Sequence, residues 1–153
     1  MEGESEEVNG RVEALWTKRA HRGVMDGHRE VVFVAEKGIT GNTCRSSTRQ
    51  VTIIAQEQWH AMMHDLGGAL DPGARRANIM VSGVDLAQSR GRVLRLGGVR
   101  VRIRGETRPC ERMDEALPGL RAAMELDWRG GAFGEVLDDG LLAVGDAASW
   151  ECE

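Results

Sequence analysis

Hydrophobic residues and arginines alternate along the chain from 99 to 104. This period of two predicts a β-strand with one buried face. A pair of glycines at 97–98 precedes the strand and is typical of a two-residue hairpin turn. Such a turn sets Leu94 opposite Val101, so that the apolar residues of both strands lie on one face. The sequence therefore predicts an antiparallel hairpin with a defined register.

Apolar alternation and short apolar runs predict further strands, at 10–18, 29–35, 50–55 and 77–81. The segment 56–66 has apolar residues at helical spacing, and Gly67 is placed to end that helix. Its methionines are expected to fill the core. The stretch 36–49 is rich in Gly, Thr, Ser and Asn, and we expect a long loop there, where binding groups often lie.

The second half of the chain continues this mixture of short elements. Pro118 is placed to begin a helix, which the glycine pair at 130–131 would end. The Asp-Gly pair at 139–140 is a strong turn signal and predicts a second hairpin, joining 135–138 to 141–144. Several short strands with few short helices favour a mostly β fold of the barrel type over a doubly wound sheet.

The length of 153 residues suits one domain, which we expect to span residues 9–153. Residues 1–8 are mostly acidic, small and polar, so a flexible acidic tail is predicted. Hydrophobic residues make up 41% and charged residues 29% of the chain, which argues against global disorder. The apolar stretches are too short to span a bilayer and the start lacks a signal-peptide pattern, so we expect a cytoplasmic protein without membrane contact.

The net charge of −4 gives no bulk attraction to nucleic acid. Locally, six arginines and no acidic residue lie between Arg90 and Arg104. These arginines are expected to form the solvated face of the predicted hairpin, or else a surface that binds an anionic partner. Aromatic residues do not alternate with them, which disfavours nucleic acid as that partner.

Three cysteines at wide spacing do not indicate a disulfide framework. No CxxC pair occurs, and the four histidines do not combine with the cysteines at zinc-finger spacing. His60 and His64 are four residues apart and would share one face of a helix. The catalytic glutamate of an HExxH motif is missing between them, so no protein-ligated zinc is assigned.

Cys110 lies between two arginines, Arg108 and Arg112, just before the helical stretch that Pro118 breaks. Nearby arginine charge favours the reactive thiolate form of a cysteine, and the adjacent Glu111 opposes this effect. If exposed, this thiol is the best candidate for a reactive atom in the chain. The alternative from the local sequence is a small buried residue, the usual environment of a free cysteine.

Seven short motifs occur in order between residues 38 and 146, and together they identify a family: GITGN at 38–42, RQVTII at 49–54, DP at 71–72, RANI at 76–79, GVDL at 83–86, PCERM at 109–113, and DG with VGD at 139–146. In this set the chain resembles the MOSC domain, named for the C-terminal domain of molybdenum cofactor sulfurases, and in particular its small stand-alone bacterial form.

The resemblance implies a strand-rich barrel that binds the pterin-based molybdenum cofactor, with Cys110 handling sulfur or ligating molybdenum. Arg76 and Asn78 match an RxN motif that looks like the family's cofactor-holding pair, and Arg49 and Arg112 are further candidates for cofactor contacts. Thiolate sulfur suits a soft metal centre, and arginine suits an anionic phosphate. Without a ligand, Arg76 would form a surface ion pair and Asn78 would cap a turn.

Three functions remain open at this stage. The first is reduction of an N-hydroxylated small molecule with electrons from a separate reductase, since the chain has no motif for a flavin, haem or iron-sulfur cluster. The second is a sulfur or cofactor carrier charged by a cysteine desulfurase, a partner that brings pyridoxal phosphate only by family association. The third is an anion-binding interaction module that uses the hairpin at 90–104.

The loop at 36–49 departs from the pattern of many relatives. Those relatives have an acidic residue and a histidine where this chain has Asn42 and Cys44. A charge and a titratable base are therefore missing there. Cys44 is a candidate second thiol beside Cys110, because loops of one barrel end can converge. The sequence does not indicate the substrate or the oligomeric state.

Overall fold

The computed structural model describes residues 10–20, 24–43 and 46–152. The predicted tail at 1–8 and the candidate thiol of Cys44 lie outside the described residues. The strands are β1 (Arg11–Lys18), β2 (Met25–His28), β3 (Glu30–Val34), β4 (Gly38–Ile39), β5 (Val51–Ala55), β6 (Ile79–Ser82), β7 (Val93–Leu96), β8 (Val99–Glu106), β9 (Ala132–Val136), β10 (Gly140–Ala143) and β11 (Ala148–Trp150). The helices are α1 (Gln56–Leu66), α2 (Arg112–Ala116) and α3 (Leu120–Met124), and a 3-10 helix spans Pro72–Arg75.

The strands form two sheets. The larger has eight strands in the order β11-β7-β8-β9-β5-β6-β1-β2, and the smaller has three in the order β10-β3-β4. β5 and β6 pair in parallel, because α1 and the 3-10 helix supply the crossover that a parallel pair needs. The mostly β class with few short helices is confirmed. The order of the larger sheet runs from β11 to β2 without closing, so the predicted barrel is not confirmed.

The predicted arginine hairpin is present with the predicted register. Leu94 of β7 lies opposite Val101 of β8, and both side chains are fully buried. Gly97 in the turn has a φ of 57°, which glycine adopts without steric cost. The main hydrophobic core joins both sheets, since residues such as Phe33 of β3 pack in the same cluster as Leu94.

The three helices share a second hydrophobic cluster, which lies apart from the main core. It contains mainly methionines: Trp59, Met62, Met63, Met113, Leu120 and Met124. Helix α1 has the predicted bounds, and Gly67 ends it at a φ of 66°. The methionines of α1 therefore serve as core residues, as predicted. Within the described ranges, no helix is both long enough and apolar enough to cross a membrane.

Two elements of the second half differ from their predictions. The helix expected from Pro118 onward is confined to α3, because Gly119 at a φ of 89° precedes it and turns at 125–130 follow it. The prediction of a second hairpin, joining 135–138 to 141–144, is wrong. β9 pairs with β5 and β8, whereas β10 pairs with β3. Asp139 uses its side chain to accept a hydrogen bond from the backbone of Ala35 at 2.7 Å, so it joins the two regions instead of closing a tight turn.

Candidate functional site

A cleft of about 380 Å³ lies where the ends of β1, β5 and β8 meet the 3-10 helix. Its size falls in the usual range for small-molecule sites. Among the described residues that line it, no side chain is acidic, and the basic ones are Lys18, Arg49, Arg75, Arg76, Arg108 and Arg112. A cleft of this composition favours an anionic ligand.

Arg76 follows the 3-10 helix and adopts a left-handed φ of 67°. Asp71 fixes the start of that helix by accepting a hydrogen bond from the backbone nitrogen of Gly73 at 2.8 Å. The Nη2 atom of Arg76 is buried and has no hydrogen-bond partner in the described part of the chain. A buried guanidinium nitrogen without a partner is costly, so this atom points to a missing ligand.

Thr107, which follows the end of β8, provides a second atom of this kind. Its side-chain oxygen is buried and has no partner among the described residues. Thr107 lines the same cleft as Arg76. Two residues that line the cleft therefore carry a buried polar atom without a described partner.

Arg75 connects the walls of the cleft. Its Nε donates to the carbonyl oxygen of Gly130 at 3.1 Å, and its Nη2 lies 3.4 Å from the carbonyl oxygen of Thr107. Burial lowers the pKa of Arg75 to about 10, while the nearby Cys110 raises it and Arg49 lowers it. Arg75 remains charged at neutral pH, and it links the segment before Cys110 to the turn at Gly130.

Cys110 is exposed and lines the cleft. The buried alternative for this cysteine is therefore wrong. Its carbonyl oxygen accepts a hydrogen bond from the backbone nitrogen of Met113 at 3.0 Å, which holds the backbone of Cys110 at the beginning of α2. The side chains of Arg108 and Arg112 are exposed on either side, and neither has an ion pair or hydrogen bond within the described ranges.

Asn78 lines the cleft but is fully engaged by its neighbours. Its Nδ2 donates to the carbonyl oxygen of Trp16 at 3.2 Å and to Oδ1 of Asn42 at 3.0 Å. Its Oδ1 accepts from the backbone nitrogen of Thr52 at 3.0 Å. Asn78 thus joins β1, β5 and the loop at 42, and its contact with a ligand stays a prediction.

Asn42 lies at the loop position where the family resemblance predicts an acidic residue. Its Oδ1 accepts hydrogen bonds from the backbone nitrogen of Lys18 at 2.8 Å and from the side chain of Asn78. The amide therefore anchors the loop to the end of β1 without adding negative charge to the cleft.

Arg49, a further predicted site residue, lies in the cleft with its guanidinium 4.7 Å from the centre of the Phe133 ring. The arginines of the hairpin lie elsewhere and are largely engaged by the protein itself. Arg100 forms a two-point ion pair with Asp138, at 2.9 and 3.1 Å. Arg95 pairs with Glu151 at 3.2 Å. This face is therefore less suited to an anionic partner than the cleft.

The predicted site residues Cys110, Arg76, Asn78, Arg49 and Arg112 all line this one cleft. Three further residues that line it, Arg75, Thr107 and Lys18, were not predicted from the sequence. Neither their spacing nor the family motifs mark them, although Arg75 directly precedes the motif residue Arg76.

Comparison with known proteins gives a consistent result. The family model described as "MOSC domain" matches residues 18–149. A search of curated protein sequences finds no match.

The fold is similar to several solved structures of low sequence identity. The YuaD protein from Bacillus subtilis is 20% identical, with a TM-score of 0.74 over 93% of this chain and 97% of that chain. YiiM from Geobacillus stearothermophilus is 14% identical, with a TM-score of 0.72 over 94% and 75%. YiiM from Escherichia coli is 13% identical, with a TM-score of 0.69 over 94% and 70%. The family match covers most of the sequence and the cleft, and the chain belongs to the MOSC domain family.

Proposed function

We propose that this protein binds the pterin-based molybdenum cofactor in the basic cleft, with Cys110 at the mouth as the molybdenum ligand. The MOSC family is associated with this cofactor. The observation that carries the proposal is the pair of buried, unpartnered polar atoms on Arg76 and Thr107. Both lie in a cleft whose described lining has six basic and no acidic side chains.

The described residues fit such a group in charge and chemistry. The cofactor carries a terminal phosphate, and arginine binds phosphate through charge-assisted, often two-point hydrogen bonds. In this proposal Arg76 supplies this contact, and the hydroxyl of Thr107 binds a further polar atom; their unpartnered atoms support these roles. Cys110 offers an exposed sulfur, and thiolate is a soft ligand that suits a sulfur-rich metal centre.

Each residue has a distinct part in this function. When bound, the cofactor supplies the redox centre, and the protein supplies its binding and orientation. Arg76 and Thr107 hold the anionic and polar groups, with Arg49 and Arg112 as further predicted contacts. Asn78 fixes the strands that form the wall of the cleft.

Reduction of an N-hydroxylated small molecule, with electrons from an external reductase, is the enzymatic form of this proposal. In the carrier form, the Cys110 thiolate attacks the outer sulfur of a persulfide on a cysteine desulfurase, which breaks the donor S–S bond and releases the thiolate of that enzyme. The pyridoxal phosphate remains on that partner. The exposed thiol suits either form. A mass increase of one sulfur on Cys110 would favour the carrier, and turnover with a reductase would favour the enzyme.

Molybdenum analysis of purified protein tests the cofactor site. Protein from a host that makes the cofactor is expected to contain near-stoichiometric molybdenum. Cys110→Ser is expected to lose the metal. Arg76→Ala is expected to retain the cofactor about 10- to 100-fold more weakly, because a charge-assisted hydrogen bond is lost.

Arg104→Ala is the matched control, since Arg104 is an exposed arginine of β8 outside the cleft. It is expected to keep the metal content of the wild-type chain. Metal content that is unchanged in Cys110→Ser would remove Cys110 as a ligand. Equal cofactor retention in Arg76→Ala and Arg104→Ala would contradict the assignment of Arg76.

A further inference from the structure

Arg108 stands at the mouth of the cleft, two residues before Cys110. Its side chain is exposed and has no hydrogen bond or ion pair within the described ranges. Glu111 is the carboxylate nearest in sequence to the thiol, but it does not line the cleft. The positive charge beside the thiol is therefore not neutralised inside the cleft.

The charge of the cleft exceeds what the cofactor phosphate requires. Four of the basic side chains that line the cleft, those of Arg75, Arg76, Arg108 and Arg112, have no ion pair with a described residue. A phosphate monoester carries a charge of about −1.5 to −2 at neutral pH. The surplus is positive and lies in a concave surface, where it raises the local concentration of anions.

The basic residues also lie at different depths. Arg76 has a buried guanidinium nitrogen and Arg75 bonds to two backbone carbonyl groups, so both belong to the inner wall. Arg108 and Arg112 are both exposed, like Cys110, and Arg112 is already a predicted cofactor contact. Arg108 is therefore the exposed arginine of the cleft that remains for a substrate approaching the thiol from solvent.

We propose that the cleft selects small substrates that carry an oxyanion group, a carboxylate or a phosphate, and that Arg108 is the residue that determines this selectivity. This inference rests on the proposed function, because it assigns the inner arginines and Arg112 to the cofactor and Arg108 to the substrate. Protonated amines are disfavoured by the same charge.

Calorimetric titration of the molybdenum-containing chain with a charge series tests this selectivity. The probes are one aromatic N-hydroxyamidine with a para carboxylate, a para phosphonate, no substituent, or a para aminomethyl group. The two anionic probes are expected to bind about two- to fivefold tighter than the neutral one, as for an exposed ion pair. The cationic probe is expected to bind most weakly, and added salt is expected to narrow these differences. The carboxylate and phosphonate arms show which oxyanion is preferred.

Arg108→Ala is expected to remove the preference, and Arg108→Glu is expected to reverse it, with molybdenum content unchanged in both. Arg104→Ala is the control and is expected to keep the wild-type preference. Equal binding of neutral and anionic probes by the wild-type chain would overturn the inference. A preference that survives in both Arg108 variants would also overturn it, and so would loss of molybdenum from Arg108→Ala.

The two proposals fail in different measurements. A wild-type chain without molybdenum contradicts the proposed cofactor site. A wild-type chain that contains molybdenum but binds the neutral and anionic probes equally contradicts only the inference about Arg108.

Discussion

The side-chain oxygen of Asn42 accepts two hydrogen bonds, from the backbone nitrogen of Lys18 and from the side chain of Asn78. An aspartate at this position would offer the same acceptor. Asn42 therefore anchors the loop as an aspartate would, but adds no negative charge. The absence of the charge can be predicted from the sequence. The hydrogen bonds that anchor the loop cannot, because their donors, Lys18 and Asn78, lie in two other segments of the chain.

Two substitutions of Asn42 distinguish the effect of the hydrogen-bond acceptor on stability from the effect of a negative charge. Asn42→Asp is expected to change the free energy of unfolding by less than about 0.5 kcal/mol, because both donors keep an acceptor. Asn42→Leu is expected to destabilise the protein by about 1–3 kcal/mol, since it leaves buried donors without a partner. Urea unfolding monitored by tryptophan fluorescence measures both changes. Equal stability of the wild-type protein and the leucine variant would contradict the anchoring role.

At the scale of elements, the sequence predicted the strands and helices whose formation depends on residues close together in the chain. The hairpin of β7 and β8 was predicted with its register because the glycine turn and the alternation lie within one short stretch. Helix α1 was predicted because its apolar spacing and its terminal glycine are equally local. The Asp-Gly pair at 139–140 was misread, since its aspartate bonds to a residue 104 positions away. The two-residue strand β4 is too short to show any pattern.

The ion pair on the outer face of this hairpin gives a pH prediction. The hydrogen bond from Arg100 lowers the pKa of Asp138 below its usual value of 3.8. A lowered folded-state pKa stabilises the protein above the unfolded pKa, and this contribution is lost as the pH falls through the folded pKa. Asp138→Asn is therefore expected to lower Tm slightly at about pH 7 and to leave it unchanged at about pH 2.

Calorimetry at both pH values, in low and high salt, checks this expectation. Because the pair is exposed, high salt is expected to reduce the difference at neutral pH. A decrease in Tm of the same size at both pH values would show that the asparagine acts by another route.

At the scale of the whole molecule, the cleft exists only because distant segments meet. Cys110 and Arg76 could be identified from the sequence because family motifs contain them. Thr107 and Arg75 could not, since their importance depends on burial and on the turn at Gly130. The motif residues of the cleft were thus predictable from the sequence, whereas the charged side chains of Arg75 and Lys18 and the closing of the cleft around them depend on the fold.

Substitution of Gly130 tests how closely the turn at Gly130 packs against the segment that contains Thr107. A Cβ atom at this position would lie 2.4 Å from the carbonyl oxygen of Thr107, which is backbone and cannot easily move. Gly130→Ala is expected to destabilise the protein by about 1–3 kcal/mol, the usual cost of overpacking. Gly98→Ala is the matched control, because a Cβ atom there would have no described neighbour within 4 Å. Urea midpoints of the two variants compare the two positions, and equal midpoints would contradict the tight fit.

Met113 belongs to the methionine-rich cluster of the three helices, and it also lines the cleft. Its backbone nitrogen holds the carbonyl group of Cys110. The backbone of Cys110 is therefore joined on one side to a methionine-rich interior, and on the other, through Thr107, to the end of β8. Oxidation of those thioethers makes them polar and would disturb the packing beneath the start of α2 without altering any charged group of the cleft.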